Sequence, residues 1–287
     1  MKVLITGGNG QLGFELTRSA PTGYELIRTD KVALDITNAE QVQDVIASHR
    51  PDAIINTAAY TAVDKAESEP SLAQAINGRG PGHIATAAKA IGATMVQVST
   101  DFIFDGSQST PYATDVKPAP LNVYGATKLA GERAVLDTLG ERALILRTAW
   151  VYSSHGHNFV KTILRLLSEK PQLGIVADQV GSPTWAGGLA RAIWRALDKN
   201  VTGVHHWTDA GIASWYDFAV AIQEEALSAG LIDRQIPILP IRTEDYPVPA
   251  RRPPYSVLNK HPTWAALDMQ GEHWRVTLRR MLNELSK

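Results

Sequence analysis

Residues 1–19 read MKVLITGGNGQLGFELTRS, and this stretch decides the fold. Residues 2–6 hold an unbroken apolar run, Val3, Leu4 and Ile5, which predicts a short strand buried on both faces. Gly7, Gly10 and Gly13 follow with the spacing G-x-x-G-x-x-G, and Phe14, Leu16 and Thr17 continue into a helix pattern. Gly7 suits the tight turn out of the strand. Gly10 lets the backbone come close to a pyrophosphate, and Gly13 lets the helix pack tightly. The helix N-terminus then offers free N–H groups and a positive dipole end to phosphate oxygens. A glycine-rich turn with no ligand is the bland alternative. The preceding strand, the following helix and an acid about twenty residues on favour a dinucleotide instead.

That acid is Asp30, at the end of a second strand over residues 24–29. A carboxylate there accepts hydrogen bonds from the adenosine ribose, which favours NAD. Arg28 and Lys31 flank it, and a cation can hold a 2′-phosphate, so both NADH and NADPH stay open. Thr37 to Glu40 read as a capping box with Thr37 as N-cap, opening a helix that stops before Pro51. A third strand covers residues 53–56, and the small residues after it either leave room for a ligand or simply pack closely. Two helices follow, with Gly78 and Gly80 between them and Gly92 as C-cap.

The fourth strand begins at Thr94 and ends in Ser99-Thr100-Asp101. Hydroxyls and an acid at a strand end sit where open α/β sheets bind ligands. Thr100 can donate to a substrate oxygen, and Asp101 can receive from a sugar hydroxyl; local turn capping is the alternative. Residues 105–122 form an irregular excursion long enough to be functional. Tyr124 and Lys128 then share one face of a helix running to about residue 139. An ammonium beside a phenol favours the phenolate and is expected to lower its pKa from about 10. A proton donor or acceptor works best nearer the working pH.

A further strand spans 143–147, followed by Trp150, which reads either as a substrate-facing aromatic or as core. His155 and His157 have no acid or third histidine beside them, so an exposed loop is expected there and no metal site. Later segments read as helices over 159–167, 185–197 and 215–227, with Ser214 capping the last of these, and as a strand over 204–207. A proline-rich run over 236–254 ends at Arg251 and Arg252. Paired guanidiniums on a rigid loop can grip a diphosphate, or can be solvated surface charge. The last helix spans 274–285.

The resulting fold class is α/β: a Rossmann-type doubly wound parallel sheet with a smaller C-terminal mixed α/β substrate domain. The expected dinucleotide-binding domain is 1–152, with about 173–210 crossing back. The expected substrate-binding domain is 153–172 and 211–287. Composition agrees with this. The 287 residues are 44% hydrophobic, carry a formal net charge of −1 and include no cysteine. This removes disulfides and thiolate chemistry, and it gives no electrostatic case for nucleic acid or an anionic membrane. No apolar run is long enough to span a bilayer, and the first strand starts at once, so a cytoplasmic enzyme is expected.

The chain resembles the extended short-chain dehydrogenase/reductases, and within them most closely the dTDP-4-dehydrorhamnose reductases. The matching segments include GGNGQLG (7–13), PDAIINTAAYTAVDKAE (51–67), VSTDFIFDG (98–106), PLNVYGATKLAGE (120–132), LRTAWVY (146–152), DQVGSPT (178–184) and RRPPYSVLN (251–259). The resemblance implies reduction of a 4-keto dTDP-sugar by NADPH or NADH, with hydride from the nicotinamide and a proton from Tyr124. Within the cofactor-binding loop from Gly7 to Gly13, Gly10, Gln11 and Leu12 would hold the pyrophosphate; Asp30 would hold the ribose, and Asp35 and Ile36 would flank the adenine. Ala59, Tyr60, Thr61 and Val98 would contact the cofactor. Lys128 would bind the nicotinamide ribose and tune Tyr124. Thr100 would complete the catalytic set, and Asp101, Trp150 and Arg252 would touch the substrate.

Some relatives of this kind form homodimers bridged by Mg²⁺ through acidic side chains. Here Glu15 is present, but Gly187 and Gly188 stand where a further acid is expected, which speaks against a metal-bridged dimer. Phe102 replaces the tyrosine usual after the S-T-D motif. Two other readings compete. One is a nucleotide-sugar 4-epimerase or 4,6-dehydratase of the same superfamily, though a dehydratase would want a second acid where Phe102 stands. The other is a non-catalytic NADP-binding regulatory subunit, against which the intact Thr100, Tyr124 and Lys128 argue.

Overall fold

The run Val3-Leu4-Ile5 is wholly buried because it lies in a sheet covered on both faces. The structure, a computed structural model, describes residues 1–286. In chain order the strands are β1 (Lys2–Thr6), β2 (Glu25–Arg28), β3 (Ala53–Asn56), β4 (Thr94–Thr100), β5 (Ala143–Thr148), β6 (Val151–Tyr152), β7 (Leu173–Val176), β8 (Val180–Gly181), β9 (Thr184–Trp185), β10 (Gly203–His206), β11 (Ala213–Ser214) and β12 (Ile238–Ile241). The helices are α1 (Gln11–Arg18), α2 (Ala39–His49), α3 (Val63–Ala66), α4 (Pro70–Ala73), α5 (Gly80–Ile91), α6 (Val123–Leu139), α7 (Phe159–Glu169), α8 (Ala186–Asp198), α9 (Trp215–Ser228), α10 (His261–Leu267) and α11 (Trp274–Leu285).

Six strands form one parallel sheet in the order β10-β5-β4-β3-β1-β2. Successive side chains on a strand point to opposite faces. Val3, Ile5, Ile55 and Val96 therefore pack with Leu12 and Leu16 of α1 and Leu189 and Ile193 of α8. Leu4, Ile54, Met95 and Ile145 pack with Val42 and Ile46 of α2, Ile84 of α5 and Val135 of α6. The chain lays β2 on one side of β1 and β3 on the other. That reversal opens a crevice beyond the carboxyl ends of β1 and β3, where sheets of this kind take ligands.

A second apolar cluster joins α7, α9 and α11 around Ile163, Leu167, Phe218, Ile222, Leu278 and Met281. Two segments pack elsewhere than chain order suggests. Leu173 packs in this second cluster, and β7 pairs with β12, so the return to the sheet begins after β7. In the other direction, Leu267 of α10 packs in the cluster of α1 and α8, on the sheet side. Apolar contact decides both placements, and chain order does not reveal it.

Two local expectations are corrected as well. The N-cap of α2 is Asn38, whose side chain accepts from Gln41 N–H, while the Thr37 hydroxyl donates to Asp35 at 2.7 Å. Residues Gln74–Arg79 wind as a π-helical turn that runs α4 into α5, so Gly78 and Gly80 do not separate two helices. Their small size serves packing: a Cβ on Gly80 would stand 2.8 Å from Ile36 Cδ1. Gly92 does cap α5 in the left-handed conformation. Among the described residues, no helix is long and apolar enough to cross a membrane.

Candidate active site

A cavity of about 810 Å³ runs along the crevice. Its first end is lined by Asp30, Lys31, Leu34, Asp35 and Ile36. Asp30 accepts from the N–H groups of Val32 and Ala33 and from the Asn9 amide. These bonds, Ala33's foremost, hold its carboxyl below the usual range. Asp35 is lowered too, by the Thr37 hydroxyl and N–H.

The middle is the glycine loop. Gly7 sits at φ 66°, and a Cβ there would stand 2.8 Å from Ala58 N, so the loop after β1 lies directly on the loop after β3. A Cβ on Gly13 would come 2.5 Å from Gly7 O. Gly13 therefore lets α1 pack on its own loop, beneath the cavity wall and not in it. Gly10 starts α1 with no side-chain cap, and Gly7, Gly10, Gln11 and Leu12 all line the cavity. Backbone contact at Gly7 and Gly13 excludes any side chain there and keeps the loop close-packed, and the uncapped start of α1 faces the cavity. The residues present fit a dinucleotide diphosphate. Ala59, Thr61 and Val98 also line the cavity; Tyr60 does not. The Tyr60 hydroxyl donates to Glu69, and its N–H and carbonyl are clasped by the buried Asn77 side chain at 2.8 and 3.0 Å.

The far end gathers Ser99, Thr100, Asp101, Tyr124, Lys128, Trp150, Trp215 and Arg252. Thr100 ends β4 in register with Thr148 of β5. Its hydroxyl donates to Asp101 Oδ1 at 3.1 Å. Asp101 is 2% exposed, and Oδ2 has no partner among the described residues. Burial pushes its pKa up to about 6, with the Ser256 and Thr100 hydroxyls pulling the other way. Tyr124 is the second residue of α6, which is capped by Asn122: its side chain accepts from Gly125 N–H at 2.8 Å. Gly125 lets the helix approach closely, since a Cβ there would lie 2.1 Å from Phe102 O. The Phe102 ring meets the Tyr124 ring edge-on, centroids 5.7 Å apart.

The protein surroundings of Tyr124 raise its pKa, where the Lys128 ammonium alone was expected to lower it. Burial raises it to about 12, the Asp101 charge adds to the rise, and the Thr100 hydrogen bond opposes it. Lys128 does not set that balance: its Nζ donates to Val98 O at 2.7 Å, and burial lowers its own pKa to about 8 against the charge of Glu132. A phenol held this way is a proton donor at neutral pH.

Arg252 lines the cavity, but its fork is bonded to Asp64, Nη1 to Oδ1 at 3.0 Å and Nη2 to Oδ2 at 2.8 Å. The pair holds the Asp64 carboxyl below its ordinary pKa. Arg251 is exposed. His157 lines the cavity beside the glycine loop, and His155 stacks on Phe14 with centroids 4.5 Å apart. Glu15 is fully buried, bonded to Arg18 at 2.7 Å and to the Ser153 hydroxyl at 2.7 Å.

No motif in the sequence pointed Asn77, Asn122 or Trp215 to the site, and His157, expected on an exposed loop, lines the cavity. Asn122 had a readable signal, an N-cap residue just before the Tyr124 helix. The others reach the site only through tertiary packing.

Residues 1–287 match the family model for the RmlD substrate binding domain. The chain is 43% identical to the dTDP-4-dehydrorhamnose reductase of Escherichia coli K12, over 99% of this chain and 98% of that one. A crystal structure of a dTDP-4-dehydrorhamnose reductase from Clostridium acetobutylicum superposes with a TM-score of 0.94 at 41% identity, covering 100% of both chains. The Bacillus anthracis reductase, solved in complex with NADP, superposes with a TM-score of 0.93 at 38% identity, covering 99% of both.

Proposed function

The chain belongs to the RmlD substrate binding domain family, and from that membership we propose that it reduces the 4-keto group of dTDP-4-dehydro-β-L-rhamnose to dTDP-β-L-rhamnose, with NADPH or NADH, in dTDP-rhamnose biosynthesis. One observation carries the reading: the glycine loop, Thr100, Tyr124 and Lys128 line a single cavity at the carboxyl edge of the sheet.

In this assignment Gly7, Gly10, Gln11 and Leu12 hold the cofactor diphosphate, and Asp30, Asp35 and Ile36 hold its adenosine end. Ala59, Thr61, Val98 and Lys128 stand along the nicotinamide side. When bound, the cofactor supplies a hydride from nicotinamide C4. Tyr124 delivers the proton to the carbonyl oxygen, and its raised pKa keeps that proton in place until charge develops there. The Thr100 hydroxyl turns from Asp101 to the same oxygen and stabilises the growing negative charge. Lys128, cationic below about pH 8 and anchored on the Val98 carbonyl, donates to the nicotinamide ribose. Asp101 and Trp150 bound the sugar, and Arg252, fixed by Asp64, walls the diphosphate end.

The cofactor half comprises residues 1–152 with α8, β10 and α10. The substrate half comprises 153–176, 211–257 and α11. Glu15 is committed to Arg18 and Ser153, so a pairing of two chains would not use it to bridge a metal.

The test is NAD(P)H oxidation in the presence of the 4-keto dTDP-sugar, wild type against Tyr124→Phe. Substrate-dependent oxidation lost in the variant supports the assignment. No such oxidation by the wild type overturns it.

A further inference from the structure

Trp150 has a backbone φ of 49°. That conformation is strained for a bulky residue and persists only where its surroundings impose it. Three segments impose it here. The Trp150 indole lies flat on that of Trp215, centroids 3.5 Å apart and planes 7° from parallel. Aromatic pairs left to themselves favour offset or edge-on contact over this overlap. Gly181 borders the same ring: a Cβ there would stand 2.6 Å from Trp150 Cε2 and 2.8 Å from Nε1. The Trp150 carbonyl accepts from Thr184 N–H at 3.2 Å.

These contacts have a common origin. β8 and β11 pair antiparallel with Gly181 opposite Ala213. Ser214 caps α9 through a capping box with Asp217, which delivers Trp215, the first residue of α9, onto Trp150. Phe159 backs Trp215, centroids 4.6 Å apart. Both indoles line the far end of the cavity with Thr100 and Tyr124.

We propose that Trp215, together with Gly181, is a positioning element that fixes the Trp150 ring as the aromatic wall against the sugar and so restricts how the keto group is offered to Tyr124. This rests on the reading of Trp150 as a sugar contact. Trp215 acts through Trp150 and touches no reacting atom.

The experiment compares Trp150→Ala, Trp215→Ala, Trp215→Phe and Gly181→Ala by steady-state kinetics with NADPH and dTDP-4-dehydro-β-L-rhamnose, and by NADPH Kd from fluorescence titration. Trp215→Ala is expected to raise KM for the sugar about tenfold, the scale of one well-formed aromatic contact, with NADPH Kd unchanged. Trp215→Phe should restore most of the loss. Gly181→Ala should reproduce it, because its Cβ displaces the Trp150 ring. In a Trp150→Ala background, Trp215→Ala should add nothing. If Trp150→Ala raises KM while Trp215→Ala and Gly181→Ala leave it at the wild-type value, the positioning role is overturned and the sugar contact stands. If Trp150→Ala itself leaves KM unchanged, the sugar contact falls and the positioning role falls with it. Should Trp215→Ala fail to fold, Gly181→Ala and Trp215→Phe still decide.

Discussion

Lys128 Nζ donates to the carbonyl oxygen of Val98 at 2.7 Å, which ties the amine of α6 to the carboxyl end of β4. Burial draws its pKa down to about 8, so the charge is present below that pH and lost above it. A neutral amine is a weaker donor to the nicotinamide ribose than an ammonium. Turnover is therefore expected to fall as pH rises through about 8. Lys128→Met should lower kcat by about 10² or more and flatten that alkaline limb. A pH–rate profile of both proteins checks it; an identical limb in the variant assigns the ionisation to another group.

Asp101 acts on Tyr124 through its charge and helps hold the phenol proton up to about pH 12. Asp101→Asn removes that charge, so the phenol pKa should fall, and the Thr100 hydroxyl keeps an acceptor in the amide oxygen. Spectrophotometric phenolate titration, with Tyr124→Phe as the blank, reads the shift directly. An unchanged or higher phenol pKa in Asp101→Asn would contradict the coupling. Tyr124→Phe is itself expected to cut kcat by about 10²–10⁴ while leaving cofactor Kd near wild type.

Gly125 separates the helix start at Tyr124 from the Phe102 carbonyl, where a Cβ would lie 2.1 Å from the oxygen. Gly125→Ala must push α6 away from the end of β4 and carry the Tyr124 hydroxyl with it. Overpacking of this kind costs about 1–3 kcal/mol, and a small misplacement of a reacting group can cost about 10² in rate. The variant should show a modest fall in Tm, a large fall in kcat and a nearly unchanged cofactor Kd. Full activity would mean that the approach of α6 to Phe102 is not what places the phenol.

The glycine loop was legible because its parts are consecutive in the chain: strand, turn and helix start lie within residues 2–18. The same holds for Tyr124 and Lys128, one helical turn apart. What could not be read is what packs against them. The neighbour at i+4 suggested a lowered phenol pKa, but burial and Asp101 govern it, and both are tertiary. Arg252 looked free to grip a diphosphate because its partner, Asp64, lies 188 positions earlier. Asn77 clasps the Tyr60 backbone from within a π-helical turn that neither hydrophobic spacing nor glycine content announces. Leu173 of β7 and Leu267 of α10 each pack in a cluster other than the one chain order suggests, because local periodicity does not say which core an amphipathic segment will join.

His206 is fully buried at the end of β10, with Nε2 3.4 Å from Arg147 Nη1 and its ring edge-on to Phe104. Burial, then the Arg147 charge, lowers its pKa to about 3. An unfolded histidine titrates near 6.5. Between about pH 3 and 6.5 the unfolded chain thus holds one more proton than the folded one at this site. Linkage then makes the His206 share of stability rise with pH across that window and fall away on acidification, by up to about 1.4 kcal/mol per pH unit. Asp101 and Asp209 run the other way. Burial raises both to about 6, so between about pH 4 and 6 the folded state holds their protons more tightly and their share falls as pH rises. The opposing contributions flatten the wild-type curve and hide each other. His206→Asn removes only the first. Relative to wild type, the variant should gain stability as pH drops from about 6.5 toward 4, whatever it loses at neutral pH from the Arg147 contact. Urea unfolding of both proteins at several pH values measures the difference. A difference that stays constant with pH would show that His206 does not change its protonation on unfolding, and the neutral, buried imidazole beside Arg147 would have to be given up.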